Sequence, residues 1–462
     1  MAVDIEGVSG ARYVSLDRGE VDRRIFSDPD IFEQELELIF GRVWNFVAHE
    51  SQIPKAGDFF AVPIGRDNVL VVRQRDGSIK AFLNTCTHRG NAVCRAEEGN
   101  TKNFMCTYHG WTFGIDGELI GVPGFENLYH GDLDKGSLGL REVAQLDTYR
   151  GFVFATLDAT APPLLEFLGA AGRLGIDMLA GKGDMRVVPG IQKFVINCNW
   201  KFAVDNLFDF YHAAITHMSA DGLLNFQPQN ELPPIDPKKV IDRGGALKDD
   251  GSELDVPVGL TGPRNSLASM AVLGEFGHAI AGPEITAETP VRMAGLNNDW
   301  RQTPENQKRL GPIGIRVGGH PNIFPNTWIT FSQLCLRVPI SPNATELWWF
   351  SFVNHDAPEE VQKSVISTMI HVFGPAGLLE QEDGENWAQA TMQTNGLASQ
   401  KIPQALKMNL GRGKIRHQDG LSWVESSTTE HGQLWTYYSW AQYMSGADWD
   451  TLKISTTAGD II

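Results

Sequence analysis

Apolar positions Ile31, Phe32, Leu36, Ile39 and Phe40 recur at helical spacing behind Ser27-Asp28-Pro29, which predicts a capped helix. From Asp58 the pattern changes to short β-rich runs over 59–64, 69–73 and 79–84. They are separated by Gly65 to Asn68 and by Asp76-Gly77, a hairpin signal. A second Asp-Gly, at 116–117, joins predicted strands over 111–115 and 118–122, and a strand over 151–157 ends the group. These elements predict a small antiparallel β domain over 42–158. The residues 1–41 and 159–462 form the remainder, with a break at 159–163.

Beyond that break the pattern predicts a β run over 185–196 and one helix from 200 to about 217. A stretch rich in Gly, Pro and Asp, about 228–265, reads as a long loop of the kind that often serves as a lid. Strands over 327–338 and 346–353 and a helix over 358–373 follow. Strands and helices do not strictly alternate, so the larger part is expected to be mixed α+β.

The chain has 462 residues, enough for two cores, and a net charge of −17, which argues against a nucleic-acid-binding protein. No apolar run approaches the length of a membrane span, and the first ten residues lack a signal-peptide core. Five cysteines, an odd number, argue against a disulfide framework, and the cytoplasm is the expected location.

Two Cys-His pairs carry the first candidate chemistry. Cys86-Thr87-His88 is followed, after seventeen residues, by Cys106-Thr107-Tyr108-His109. Two thiolates and two imidazoles can serve one zinc ion or one 2Fe–2S cluster; zinc sites more often pair their cysteines and their histidines separately. This loop pair resembles that of the Rieske proteins. Tyr108-His109-Gly110-Trp111 narrows the resemblance to the aromatic ring-hydroxylating dioxygenases, large (alpha, catalytic) subunit. Rieske proteins of respiratory complexes add a loop-clamping disulfide. Here Asn91 stands at the matching position and Cys94 has no evident partner. The resemblance therefore implies a cluster toward the low end of the Rieske potential range.

The second candidate site lies in the predicted helix over 200–217. At 100° per residue Asp205, Asp209 and His212 would share one helix face, and His217 would lie about 140° from His212. The two histidines can meet one metal only if the helix ends or distorts between them. The series Asp205-Asn206, Asp209, Tyr211-His212 and His217 resembles the family's mononuclear-iron signature. Asn206 lies one residue closer to His212 than in the naphthalene-dioxygenase branch. The family completes its site with a carboxylate some 170 residues on, and residues 373–387 resemble that segment. Residue-by-residue matching gives Asp383; spacing alone leaves Glu380, Glu382 and Glu385 equally open.

The resemblance implies a Rieske β domain and a catalytic α+β domain with an antiparallel sheet of the helix-grip type. It implies cis-dihydroxylation of an aromatic ring with O2, a 2Fe–2S cluster on Cys86, His88, Cys106 and His109, and Fe(II) on His212, His217 and Asp383. Electrons would come from NADH through a separate flavin reductase, with or without a ferredoxin, since this chain has no Gly-rich dinucleotide fingerprint. A small beta subunit in an α3β3 assembly is also implied. There Asp209 would bridge His212 and the neighbouring subunit's His109. Phe202, Asn206, Phe208, His320, Phe373 and Leu379 would lie near the substrate. Their apolar character favours a hydrocarbon arene, although Arg316 and Arg337 could reach a carboxylate. Two alternatives remain at this point: a pure electron carrier without the second metal, and a Rieske monooxygenase or demethylase acting on an aromatic acid.

Overall fold

The computed structural model describes residues 13–217, 269–285, 299–426 and 429–458; the expected loop over 228–265 lies outside these. The chain divides into two compact units, Phe40–Leu164 on one side and Met1–Ile39 with Leu165–Ile462 on the other.

In the smaller unit Ile79–Leu83, Asp67–Arg73, Asp58–Ile64 and Glu98–Asn100 form a four-stranded antiparallel sheet in that order. The Asp76-Gly77 turn works as its sequence suggests. Gly77 takes a φ of 88°, and Asp76 Oδ1 accepts the Ser78 N–H at 2.9 Å. A second small sheet pairs Asn103–Met105 with Thr112–Gly114 and Thr112–Gly114 with Leu119–Gly121. A third joins Asn45–His49, Phe152–Thr156 and Gln145–Tyr149. Glu98–Asn100 escaped the sequence pattern because all three of its residues are exposed, leaving no apolar alternation to read. Phe59, Leu70, Val72, Phe82, Phe104, Trp111 and Phe113 form the core, and Cys86 and Cys106 belong to it.

The larger unit is built on a ten-stranded sheet in which every pair is antiparallel. Its long hairpin pairs Gln333–Ser341 with Ala344–Asn354. Two expected strands each prove to be two. The 185–196 run divides into Met185–Val187 and Gln192–Ile196, with Gly190 at φ 92° between them, and both halves pair with Ala344–Asn354. The 327–338 run folds back as a hairpin of Thr327–Thr330 and Gln333–Ser341, turning at Phe331 with φ 36°. Thr327–Thr330 and the first seven residues of Gln333–Ser341 are buried, and the polar residues at the turn, Thr330, Ser332 and Gln333, are buried with them.

Strand alternation sorts side chains into two layers. Met270 and Val272 face one way, into a cluster with Leu174 and Met178 of the Leu164–Ala180 helix and Leu310 and Ile313 of the Pro304–Gly314 helix. Ala271 and Leu273 face the other way, with Trp328, Cys335 and Trp349, toward Leu207, Phe208, Phe373, Leu379 and Trp387. This second layer carries the chemistry.

The single helix expected over 200–217 does not form. Trp200–Asp205 is helical, Asn206–Phe208 tightens to a 3-10 turn, and Asp209 is extended at φ −93°, ψ 91°. Asp209 Oδ1 accepts the backbone N–H groups of Tyr211 at 2.8 Å and His212 at 3.1 Å. A short side chain that captures these donors offers the backbone an alternative to helix. Asp205, Asp209 and His212 therefore share no helix face. Ala213–Thr216 adds one further turn, with His212 and His217 at its two ends.

Candidate metal centres

The two loops of the smaller unit are built alike. In the first, Gly90 N–H bonds the Cys86 carbonyl and Cys86 N–H bonds the Asn91 carbonyl, both at 2.8 Å. In the second, Gly110 N–H bonds the Cys106 carbonyl at 2.9 Å and Cys106 N–H bonds the Trp111 carbonyl at 2.8 Å. Gly90 and Gly110 hold φ of 73° and 76°, a left-handed turn that favours glycine. Each turn aims backbone N–H groups at its own sulfur: His88 and Arg89 at Cys86, Tyr108 and His109 at Cys106. Asn91 Nδ2 adds a donor to Cys106 Sγ at 3.6 Å. Burial pushes the Cys86 thiol up. At Cys106 the same burial is outweighed by the donors from Tyr108 and Asn91, and the thiol sits below its ordinary value.

His88 and His109 approach with ring centroids 4.5 Å apart, and His88 stacks on Trp111 at 4.7 Å. His88 Nδ1 is buried and has no hydrogen-bond partner among the described residues. Two buried thiols that form no disulfide, ringed by N–H donors beside an unpartnered imidazole nitrogen, fit a 2Fe–2S cluster.

In the larger unit, His212 Nε2, His217 Nε2 and Asp383 Oδ1 form a nearly equilateral triangle. His212 to His217 is 3.2 Å, His212 to Asp383 is 3.3 Å, and His217 to Asp383 is 3.2 Å. Edges this short would let all three atoms bind one metal ion. These three ligand atoms lie close enough together to hold one metal ion. Asp383 comes from the Leu378–Thr394 helix, and is buried together with His217.

The electrostatics suit a cation. Burial opposes a charged His212, yet Asp209 and Asp383 outweigh it and raise that imidazole to about 10. Burial would raise Asp383, but the two imidazoles hold it below its ordinary value. Asp209 Oδ2 stands 3.4 Å from His212 Nδ1, within ion-pair range but not aligned for a hydrogen bond. His217 Nδ1 donates to Glu382 Oε2 at 3.0 Å.

Residues 43–144 match the Rieske [2Fe-2S] domain, and residues 177–435 match the ring hydroxylating alpha subunit (catalytic domain). The chain is 35% identical to the biphenyl dioxygenase subunit alpha of Paraburkholderia xenovorans, over 95% of this chain and 94% of that protein. The chain belongs to the ring-hydroxylating alpha-subunit family. It is also 33% identical to the large oxygenase component of the naphthalene 1,2-dioxygenase system of Pseudomonas putida, over 92% of this chain and 91% of that protein. Among solved structures, naphthalene 1,2-dioxygenase with indole bound in the active site superimposes with a TM-score of 0.79. It shares 30% identity and covers 96% of each chain. As a ring-hydroxylating alpha subunit the protein is an oxidoreductase with a Rieske 2Fe–2S cluster and a mononuclear iron. It is a terminal oxygenase that works with electron-transfer partners on aromatic substrates. No helix among the described residues is long and apolar enough to cross a membrane.

The expected substrate neighbours of this ring-hydroxylating subunit are distributed unevenly. His320 lies among Phe210, Trp328 and Phe331, with centroids at 5.3, 5.0 and 6.4 Å. Burial depresses it to about 4, so it is a neutral imidazole. Phe373 meets Trp328 edge-on at 4.7 Å and stacks on Trp349 at 5.2 Å. Phe208 and Leu379 are buried in the same cluster. Phe202 packs at the edge of that cluster, but its ring stacks on Phe26 at 4.1 Å. Asn206 ends the Trp200–Asp205 helix and is half-buried. Arg316 is tied to Glu284 at 2.7 Å, whereas Arg337 is fully buried and its guanidinium lies 4.7 Å over Trp328. Phe210, Trp328 and Phe331, which surround His320, are not distinguished in the sequence from ordinary core aromatics.

Proposed function

We propose that this chain catalyses cis-dihydroxylation of an aromatic ring with O2, with the iron held by His212, His217 and Asp383. The observation that carries this reading is the triangle of two imidazole nitrogens and one carboxylate oxygen with edges of 3.2 to 3.3 Å. Three ligands on one face leave the opposite positions open for dioxygen, as in the two-histidine, one-carboxylate arrangement. Bound iron supplies dioxygen reduction, and the cluster supplies single electrons to it.

We assign the cluster to Cys86, His88, Cys106 and His109, supported by the paired loops, and the cluster domain to 42–158. The iron-bearing domain is then 1–41 with 159–462. Asp209 acts as the positioning and electron-route residue. Its Oδ1 fixes the backbone of His212 and its Oδ2 faces Nδ1 of the same ring. In a head-to-tail α3β3 assembly with a small beta subunit, Asp209 would also meet the neighbouring subunit's His109. Phe208, His320, Phe373 and Leu379 hold the arene, with Phe202 and Asn206 at the margin. NADH reaches the chain through a flavin reductase, with or without a ferredoxin. We place the protein in the cytoplasm, a location supported by five cysteines without a disulfide.

Asp383→Ala tests the reading. It should lose the mononuclear iron and arene-dependent oxygen uptake while retaining the reduced Rieske EPR signal. Full iron content and turnover in that variant would reject Asp383 as ligand and return Glu380, Glu382 and Glu385 as candidates.

A further inference from the structure

The inner face of the larger unit's sheet holds polar groups that the reaction as described does not use. On the strand His320–Ile323, Pro321 points to the outer layer, where a Cβ on Gly175 would come within 2.7 Å of it. His320 and Asn322 therefore point the other way, toward the layer that carries the triad. Asn322 is 1% exposed, and neither its Nδ2 nor its Oδ1 has a hydrogen-bond partner among the described residues. Trp328 stands directly opposite Asn322 across the strand pair, and its Nε1 is likewise buried without a partner. The same indole packs against His320 and Phe373. On the other neighbouring strand, Ala279 and Ala281 stand opposite Asn322 and His320 and end at Cβ, so neither supplies a polar partner.

Leaving a buried polar group unsatisfied is costly, so a buried amide lacking both its donor and its acceptor contacts calls for a partner. We infer that Asn322 and Nε1 of Trp328 form a hydrogen-bonding subsite for an oxygen-bearing substituent of the aromatic substrate. The preferred substrate is then an arene carrying a hydroxyl, carbonyl or carboxylate group rather than an unsubstituted hydrocarbon. This rests on the ring-hydroxylating reading above and adds the substrate class. Nδ2 and Nε1 offer two donors, which suits one oxygen with two lone pairs, and Oδ1 accepts from a hydroxyl. The Arg337 guanidinium, also without a hydrogen-bond partner among the described residues, lies 4.7 Å from the Trp328 ring and adds positive charge that favours an electron-rich acceptor. Phe331, Phe373 and Leu379 supply apolar surface for the ring itself. A site built to bond a substrate oxygen discriminates strongly against the analogue that lacks it.

The test uses the holoenzyme with its electron-transfer partners and compares kcat/KM for naphthalene, 1-naphthol and 1-naphthoate, read as oxygen uptake with product identification. At least one oxygen-bearing probe should exceed naphthalene by about tenfold or more, and the probe that does so distinguishes hydroxyl from carboxylate. Asn322→Leu and Trp328→Phe should each lower that ratio by about tenfold, mainly through KM. Trp328→Phe keeps an aromatic ring in place and decides the matter if Asn322→Leu fails to fold. A wild-type ratio near one, or equal losses on all three probes, would overturn the subsite while leaving the ring-hydroxylating reading intact. No uptake with any arene would reject that reading and the subsite with it.

Discussion

Glu382 and His217 are joined by a 3.0 Å hydrogen bond from imidazole Nδ1 to carboxylate Oε2, while Nε2 of the same ring stands 3.2 Å from Asp383 Oδ1. Two successive residues of one helix thus meet the two nitrogens of a single imidazole. With a proton fixed on Nδ1, the Nε2 lone pair is left facing the triangle. His212 is treated similarly, with Asp209 facing its Nδ1 at 3.4 Å and Asp383 its Nε2.

Glu382→Ala should weaken mononuclear iron binding by about 10–100-fold, the usual consequence of removing a carboxylate that orients a metal-binding histidine. Iron content after dialysis against graded chelator reads this directly, and the Rieske absorbance should not change. Wild-type iron retention would show that Glu382 is only a solvated neighbour.

Asp209→Asn should retain both metals yet stall electron transfer. The amide keeps an oxygen for the Tyr211 and His212 N–H groups but loses the charge facing His212. Stopped-flow absorbance of the pre-reduced, substrate-bound variant should show a cluster that reduces normally and reoxidises slowly. Reoxidation at the wild-type rate, with both metals present, would leave Asp209 as a backbone cap alone.

Glu35 ties the N-terminal helix to the catalytic layer. Its fully buried carboxylate accepts Lys201 Nζ at 2.5 Å, Trp200 Nε1 at 2.8 Å and Trp440 Nε1 at 2.7 Å. Glu35→Ala leaves a buried lysine without its counter-charge and should cost about 3–5 kcal/mol in denaturant unfolding. A loss below about 1 kcal/mol would mean that Lys201 finds another partner or gives up its proton.

Glu380 gives stability a pH dependence. Burial raises its carboxyl most, Arg337 pulls it down and Asp383 pushes it up again, with a result of about 8. In the unfolded chain it ionises near its ordinary 4.5. Below about 4.5 both states hold the proton and the favourable contribution is complete; as pH rises toward about 8 only the folded state holds it. Stability should fall over that window by about 1.4 kcal/mol per pH unit. Glu380→Gln should therefore gain stability relative to wild type between about pH 5 and pH 8. Parallel unfolding curves at both pH values would contradict this.

The sequence by itself determined the parts whose chemistry is local. The Cys-x-His and Cys-x-x-His loops each close within six residues, and Asp-Gly turns announce their hairpins through the backbone freedom of glycine. The helix over Glu359–Val372 was legible from its periodicity. Tertiary structure decided the rest. Asp209 breaks an apolar pattern that reads as continuous helix, because its side chain takes backbone donors the helix would have used. The turn at Phe331 is hidden because burial on both faces erases alternation. Glu380, Glu382, Asp383 and Glu385 look alike by spacing; in the sequence only the family resemblance singles out Asp383, and the packing of their helix against His212 and His217 separates all four in space. Asp383 faces both Nε2 atoms, Glu382 takes the far side of His217, and Glu380 is buried beside Arg337. A ligand atom is chosen by convergence in space, and residues more than 160 apart in the chain carry no local signal of that convergence.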